Sequence, residues 1–400
     1  MCAKHNIIKS EGMVLLKDEI VMIGAVSKPG TDEKLEILSS DSQYDLACAC
    51  GTNNLDRRKR GTGGKWIYPV TLPNGGSSVL FKTLISNVCN NDCKYCPLRD
   101  SMDLRRCSLS AEETARVFMD YYQQRRVFGL FLSSGVIGTP DNSMARLNDT
   151  ARILRKKYRF RGYIHLKIIP GASDPAIEES VSLASAVSLN IETPGEKHLA
   201  KLSSTKRFIE DIIDPIKLIS RLTARGTKYS RVKQTTQFIV GAAGENDSEI
   251  VKYTAALYNR LKMQRVYFSA YQKGLGDNSL PGEISTMQTT TDHFVREHRL
   301  YQVDFLLRKY GFSGEDIVFD GQGNLALGTD PKEVWAGNHP EYFPVRVNSA
   351  SKNELLRVPG LGPVTVKRIL ERRKKATIRE ISDIGKHGVR LQKADHYLAY

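Results

Sequence analysis

Long apolar stretches are missing from this sequence. No run approaches the roughly 18 uncharged apolar residues that a membrane-spanning helix needs, so we expect no membrane span. The first residues, MCAKHNIIKSEGMV, also lack the apolar centre of a secretory signal peptide. We therefore expect a cytoplasmic protein.

Cysteine is scarce, and its number is odd. The chain has 7 cysteines in 400 residues, which excludes the dense disulfide framework of small secreted proteins. In a reducing compartment, clustered thiols more often bind a metal or take part in chemistry. Cys48 and Cys50 are either part of an auxiliary site or buried free thiols, and Cys2 and Cys107 belong to no motif.

Acidic residues are too few to balance the basic ones. The chain has 59 Lys and Arg against 44 Asp and Glu, a net charge of +15 and a pI of about 9.4. Residues 350–400 alone have 12 basic and 5 acidic residues, an excess of 7 in an eighth of the chain. This imbalance favours a polyanionic partner, and a basic protein without such a partner is the alternative.

Strand-like and helix-like segments alternate regularly from residue 79 onwards. Short β-rich runs are separated by longer segments of helical period, which predicts an α/β fold with a parallel sheet, closed or partial as a barrel. Catalytic groups of such a fold gather at the carboxyl ends of the strands. The six predicted strands cover residues 79–86, 128–134, 163–170, 186–192, 235–241 and 265–271.

Four segments follow from this pattern. Residues 1–78 are an N-terminal extension, 79–271 the core, 272–348 a helical extension with a linker, and 349–400 a C-terminal module. The N-terminal extension includes the basic, glycine-rich stretch GTNNLDRRKRGTGG. Its backbone and Arg57, Arg58 or Arg60 could hold a phosphate, but it matches no P-loop pattern, and a solvated loop is the alternative.

Three cysteines occupy eight residues directly after the first predicted strand. They are Cys89, Cys93 and Cys96 in the stretch CNNDCKYC, and no second Cys or His pair follows at the spacing of a zinc finger. Three thiolates suit an iron–sulfur cluster with one iron left open. The stretch, with aromatic Tyr95 before the last cysteine, resembles the signature of the radical S-adenosylmethionine (radical SAM) superfamily.

That resemblance implies a fold, cofactors and a chemistry. The fold would be a partial (β/α)6 barrel, and the three cysteines would hold a [4Fe-4S] cluster whose fourth iron binds S-adenosyl-L-methionine. Reductive cleavage of that cofactor would give a 5′-deoxyadenosyl radical that takes hydrogen from the substrate. The resemblance also implies an electron donor, such as a flavodoxin or ferredoxin.

Further positions resemble the superfamily's cofactor contacts. Many members have Gly-Gly-Glu after the second strand, where this chain has Ser133-Ser134-Gly135, so Ser134 and Gly135 are the expected replacements. Glu192 would contact ribose or amine, with an ion pair to a nearby lysine as the alternative. Gly241 and the run from Val266 would lie against the adenine, although a glycine at a strand end needs no ligand to explain it.

The C-terminal module resembles an all-α helix–hairpin–helix domain of DNA repair and recombination proteins. A short helix leads into Pro359-Gly360-Leu361-Gly362, and a second helix starts at Pro363, where proline is well tolerated. In that motif the hairpin and the next helix N-terminus receive a backbone phosphate. Gly360, Gly362, Lys367 and Arg368 are the candidate contacts, and Asp383–Val389 is a degenerate second hairpin. A helical hairpin that binds a protein is the alternative.

Most of the chain resembles a family of radical SAM proteins assigned to DNA modification or repair. We therefore expect a radical enzyme that acts on DNA. The alternatives are a tRNA-modifying radical SAM enzyme, although the sequence shows no RNA-binding module, and an iron–sulfur DNA-binding or redox-sensing protein without turnover. No hydrogen donor or base is assigned; His165, Tyr267 and Tyr271 lie near strand ends, and His293 and His298 lie on a later helix.

Overall fold

The chain folds into a mixed α/β structure with a helical C-terminal part. The computed structural model describes residues 14–16, 19–21, 29–42, 66–71, 77–285, 290–385 and 388–400. A short antiparallel pair comes first, β1 (Val14–Leu16) with β2 (Glu19–Val21). None of the helices in the described residues is both long and apolar enough to cross a membrane.

Seven strands form the main sheet, and their order in space is their order in sequence. Neighbours from the second strand to the seventh are parallel, and only the first strand is antiparallel. This order is that of a (β/α) barrel, and the two outer strands leave it partial. The strands are β3 (Ile67–Thr71), β4 (Ser77–Leu84), β5 (Gly129–Ser133), β6 (Tyr163–Lys167), β7 (Ala186–Ser188), β8 (Lys233–Val240) and β9 (Arg265–Ala270).

Helices follow the parallel strands and cover the sheet. Their starts are encoded locally: Ser110 and Glu113 form a capping box, Asn246 and Glu249 form another, and Thr139 caps a helix that begins with Pro140. These helices and the one before the sheet are α1 (Thr31–Asp41), α2 (Ala111–Gln123), α3 (Pro140–Lys156), α4 (Asp174–Leu183), α5 (Glu196–Leu202), α6 (Asp214–Leu222) and α7 (Asp247–Leu261).

The six predicted strands are confirmed, and two elements between residues 66 and 271 were not predicted. One is β3, which contains Pro69; a proline is acceptable here because β3 is at the edge of the sheet. The other is α5, a helix of only 7 residues after Gly195. The helical segment before β8 starts as a π-helix, Phe208–Ile213, and becomes α-helical at Asp214, next to Pro215, which has no N–H to donate.

The main core lies between the sheet and its helices. It contains fully buried side chains from strands, such as Phe81, Leu130 and Phe238, together with Phe118 of α2 and Met144 of α3. A smaller apolar cluster lies at the carboxyl ends of the strands, where Leu202, Tyr271 and Leu280 meet Tyr95 and Ile239. This second cluster contacts Tyr95, which lies between Cys93 and Cys96 in the sequence.

A long helix closes the open edge at β9. It is α9 (Thr290–Lys309), and it follows the short α8 (Pro281–Ile284). The Tyr301 hydroxyl accepts from the Phe268 amide (3.1 Å) and donates to the Phe268 carbonyl (3.0 Å), while Glu297 accepts from the Ala270 amide (2.7 Å). Side chains of α9 thus satisfy backbone groups that an edge strand would otherwise expose.

The C-terminal part has its own apolar core. Before it, α10 (Pro331–Asn338) contributes Trp335 and Ala336 to the main core. The elements of the C-terminal core are β10 (Val345–Arg346), α11 (Lys352–Arg357), α12 (Pro363–Arg372), a 3-10 turn (Ile381–Asp383), α13 (Val389–Asp395) and β11 (Leu398–Ala399). The expectation of an all-α module is wrong in one respect, because β10 and β11 form a parallel pair. Val345, from the predicted linker, is thereby buried in the C-terminal core.

Candidate active site

The three clustered cysteines lie in a loop that leaves the carboxyl end of β4. Cys93 is 6% exposed, Cys89 and Cys96 are half-buried, and the Cys96 amide donates to the Cys93 carbonyl (2.8 Å). Burial raises the pKa of the Cys93 thiol, and it raises that of Cys96 to about 12 with a further contribution from Cys93. The Cys93 and Cys96 thiols therefore keep their protons at neutral pH until a metal displaces them.

Polar contacts fix this cysteine loop from several sides. Asp92 precedes Cys93 in this loop, and partial burial of its carboxyl group would raise its pKa. Hydrogen bonds from Ser203, Ser204 and Thr205 outweigh this effect and lower the pKa of Asp92. Arg106 donates to the carbonyls of Leu98 (2.9 Å) and other loop residues. The loop conformation is thus held by the rest of the barrel and does not depend on the thiols alone.

The end of β5 lies directly against the cysteine loop. A Cβ on Gly135 would be 2.3 Å from the Val88 carbonyl oxygen and 3.2 Å from the Cys89 Cβ, so only glycine allows this contact. The Ser134 hydroxyl is buried and has no hydrogen-bond partner among the described residues. A buried polar atom without a partner is costly, and a ligand group can satisfy it.

A buried carboxylate follows β7 on the other side of the loop. Glu192 is 4% exposed, has a positive φ of 63°, and accepts a hydrogen bond from the Tyr95 hydroxyl (2.7 Å). Lys206 Nζ lies 3.6 Å from Glu192 Oε1, so the ion pair that was the alternative reading of Glu192 is present. Tyr95 and Glu192, both predicted site residues, are therefore in direct contact.

Lys206 also reaches the cysteines. Its side chain is 8% exposed, and its ammonium hydrogen-bonds to the Cys93 thiol. Burial alone would lower the pKa of Lys206, but Cys93 and Glu192 raise it. Lys206 was not predicted as a site residue, because nothing in the stretch LSSTK connects it with Glu192, which follows a strand 14 residues earlier.

Gly241 follows β8 and has a structural reason to be glycine. Its φ is +92°, and a Cβ there would be 2.3 Å from His293 Nδ1. His293 is 2% exposed, and neither of its ring nitrogens has a hydrogen-bond partner among the described residues. Burial, with Arg296 and Lys273 nearby, lowers the pKa of His293 to about 4, so its imidazole is neutral.

The three aromatic candidates near strand ends have ordinary environments. His165 lies 2.9 Å from the Ser188 hydroxyl, Tyr267 is half-buried beside Arg265, and the Tyr271 hydroxyl donates to Glu283. None is assigned a catalytic role. Cys2, Cys48, Cys50 and the basic stretch with Arg57, Arg58 and Arg60 lie outside the described residues.

The candidate phosphate contacts lie in the hairpin between α11 and α12 and within α12 itself. Gly360 has a φ of +83°, and a Cβ there would be 2.1 Å from the Arg390 carbonyl oxygen; Gly362 is the N-cap of α12. Lys367 is 77% exposed and pairs with Glu371 (3.7 Å), whereas Arg368 donates to the Ile384 carbonyl (3.3 Å).

The donor set fits a cluster better than a single metal ion. Within the described part of the chain, no group of three or more His, Cys, Asp or Glu side chains is arranged around one ion. The thiolates of a [4Fe-4S] cluster bind different irons and are correspondingly spread out. Three thiols in one fixed loop, beside a partnerless Ser134 and a close-packed Gly135, are compatible with such a group.

The profile of the radical SAM superfamily matches residues 83–257, from within β4 to within α7. Residues 83–257 form a radical SAM domain. Radical SAM proteins bind a [4Fe-4S] cluster and S-adenosylmethionine, and these are the cofactors of this domain. The match does not specify a substrate.

The chain also matches parts of several solved structures. One is the FeFe-hydrogenase maturase HydG from Carboxydothermus hydrogenoformans (14% identity, 57% of this chain and 51% of that chain, TM-score 0.44). Another is methylornithine synthase PylB (14% identity, 56% and 63%, TM-score 0.42). The chain thus spans less than two thirds of either neighbour. No curated protein matches the sequence.

Proposed function

We propose that the chain is a radical SAM enzyme and that it acts on DNA. Cys89, Cys93 and Cys96 would hold the cluster, and residues 349–400 would bind the phosphate backbone. The observation that carries the proposal is the pairing of a radical SAM domain with a compact, strongly basic C-terminal part in one chain.

The residues around the cysteine loop have separate roles in this proposal. Ser134, with its partnerless buried hydroxyl, and Glu192, with its buried carboxylate, would bind polar groups of S-adenosylmethionine. Gly135 would keep β5 close to Cys89, and the backbone at Gly241 would lie near the adenine. When bound, the cluster and S-adenosylmethionine supply a 5′-deoxyadenosyl radical that abstracts hydrogen from the substrate.

A base or sugar of DNA would have to leave the stack to reach this site. The cysteine loop lies at the carboxyl ends of the strands, beside the buried cluster formed by Leu202, Tyr271 and Leu280. A duplex is too wide to bring an internal base to such a position, so extrusion of the target nucleotide, or a single-stranded target, is required.

The C-terminal part contains an internal repeat that supports the helix–hairpin–helix interpretation. Positions 25 residues apart have matching environments, and the two halves pack on each other: Gly360 is against the backbone of α13, and a Cβ on Gly385 would be 2.5 Å from Arg368 Nη1. The matching pairs are Leu356 and Ile381, Gly360 and Gly385, Val364 and Val389, Val366 and Leu391, and Ile369 and Ala394.

Not every cation of this part is available to a phosphate. Arg373 donates to the Ala350 carbonyl (2.6 Å), and Arg372 pairs with Asp383 (2.9 Å), so both hold the module together. Lys374 and Lys375, just beyond α12, are exposed. Lys374 and Lys375, with Lys367, are the cations that we expect to contact DNA.

The first experiment tests the chemistry and the substrate class together. The protein is purified without oxygen, reconstituted with iron and sulfide, reduced, and assayed for 5′-deoxyadenosine formation from S-adenosylmethionine. Duplex DNA, single-stranded DNA and tRNA are added in separate reactions. We expect stimulation by DNA; stimulation by tRNA alone would favour an RNA-modifying enzyme, and a cluster with no cleavage would favour a sensor.

Charge reversal tests the DNA-binding module without truncation. We expect the double change Lys374→Glu and Lys375→Glu to weaken DNA binding at least tenfold in low salt and to flatten its dependence on salt, because fewer counterions are released. Lys156→Glu with Lys157→Glu is the matched control, since these two exposed lysines also end a helix, α3. An equal loss of DNA affinity in both double variants would show that the C-terminal module does not provide the DNA-binding surface.

The reductant and the compartment also remain proposals. Reduction of the cluster requires an electron donor, and a flavodoxin or ferredoxin is the class that we propose. We also propose that the enzyme acts in the cytoplasm.

A further inference from the structure

Lys206 is a buried cation shared between a cysteine of the loop and a carboxylate. Its ammonium hydrogen-bonds to the Cys93 thiol and lies 3.6 Å from Glu192 Oε1. Cys93 and Glu192 are themselves 6% and 4% exposed. In such surroundings water screens charge poorly, so one unit of charge has a large effect on its neighbours.

The position of Lys206 is fixed by the fold. It follows the residues Ser203, Ser204 and Thr205, which hydrogen-bond to Asp92 in the same loop as the cysteines. Its ammonium also lies 5.9 Å from the centre of the Tyr95 ring, whose hydroxyl donates to Glu192. The cation therefore cannot leave the cysteine loop without breaking a buried network.

We propose that Lys206 sets the reduction potential of the cluster, with Glu192 as the opposing charge. The reduced cluster has one more negative charge than the oxidised cluster. A buried cation beside a ligand sulfur stabilises the reduced form, and a buried anion nearby stabilises the oxidised form. Lys206 therefore makes the cluster easier to reduce, and Glu192 makes it harder. This inference rests on Cys93 as a cluster ligand but not on DNA as the substrate.

Removal of the positive charge of Lys206 and removal of the negative charge of Glu192 should shift the reduction potential in opposite directions. A purely structural role of these residues would not produce opposite shifts. The variants Lys206→Met, Lys206→Arg and Glu192→Gln are reconstituted, and their potentials are measured by redox titration followed by EPR. We expect a more negative potential for Lys206→Met, a potential close to wild type for Lys206→Arg, and a more positive one for Glu192→Gln. Lys94→Met, in the same loop but bonded to the exposed Ser279, is the control for a loop lysine.

The outcomes separate this inference from the proposed function. Iron content is measured first; a wild-type protein without a cluster would contradict the cluster assignment itself. A normal cluster in all variants with unchanged potentials would overturn the role of Lys206. Shifts of the same sign in Lys206→Met and Glu192→Gln would also overturn it, because they would indicate a general loosening of the loop. If Lys206→Met does not bind iron, Glu192→Gln still tests the proposal. A more positive potential supports control of the potential by the buried charges, and an unchanged or more negative potential overturns it.

Discussion

Cys93 shows what a single residue needs in order to be a metal ligand here. It is one of three thiols in a fixed loop. Burial raises the pKa of its thiol, so the thiol keeps its proton, and the buried ammonium of Lys206 lies next to it. Cys107, the other buried cysteine of the described residues, packs in the main core instead. Burial is common to both, so the surrounding donors distinguish a ligand from a core residue.

This difference predicts the effect of two alanine substitutions. We expect Cys93→Ala to abolish cluster binding, because two thiolates cannot replace three. Cys107→Ala should keep full iron content and lose only some packing, with a cost of about 1 kcal/mol. Iron and sulfide analysis with visible absorption measures both. Normal iron content in Cys93→Ala would contradict the assignment of the ligands.

Among the elements of the fold, α9 protects the edge strand β9, because its side chains form hydrogen bonds with the backbone of β9. Tyr301 and Glu297, one turn apart, bond to Phe268 and Ala270, which are two residues apart in β9. Four residues of helix rise about 6 Å and two residues of strand about 6.6 Å, so the two spacings match. His293 is one further turn along, beyond the end of the strand.

Removal of one hydroxyl from this ladder should loosen β9. We expect Tyr301→Phe to cost about 1–2 kcal/mol, because the Phe268 amide is buried and loses its acceptor. Hydrogen exchange of peptides that cover β9 should become faster. Tyr121→Phe, where the ring packs on Phe81, is the control. Unchanged exchange in β9 would show that the hydroxyl does not protect the edge.

At the scale of the whole molecule, one arginine joins the C-terminal module to the helical extension. Arg357 of α11 stacks on Phe312 and Trp335, 4.6 Å from each ring centre, and pairs with Asp316 (3.2 Å). Lys332 of α10 donates to the Leu361 carbonyl in the hairpin (2.6 Å). These contacts give the module a fixed position beside the radical SAM domain.

Loss of Arg357 should therefore detach the module before it unfolds the barrel. We expect Arg357→Ala to destabilise the docked module by about 2 kcal/mol, since it removes two ring contacts and a half-buried ion pair. Limited proteolysis between α10 and α11 should become faster. Arg379→Ala, at an exposed position of the same module, should have no such effect. Equal cleavage of both variants would contradict the docking role.

The six parallel strands, the cysteine loop and the two helices around Gly360 could be predicted from local patterns. Each has a local physical cause: apolar periodicity, thiol spacing, or proline and glycine at helix ends. The partners of Glu192 could not be predicted, because Lys206 and Tyr95 reach it from distant loops. The pairing of Val345 with Leu398 and the contact of His293 with Gly241 also depend on how the elements pack. Long-range contacts of this kind depend on how elements pack, and a local sequence pattern does not contain that information.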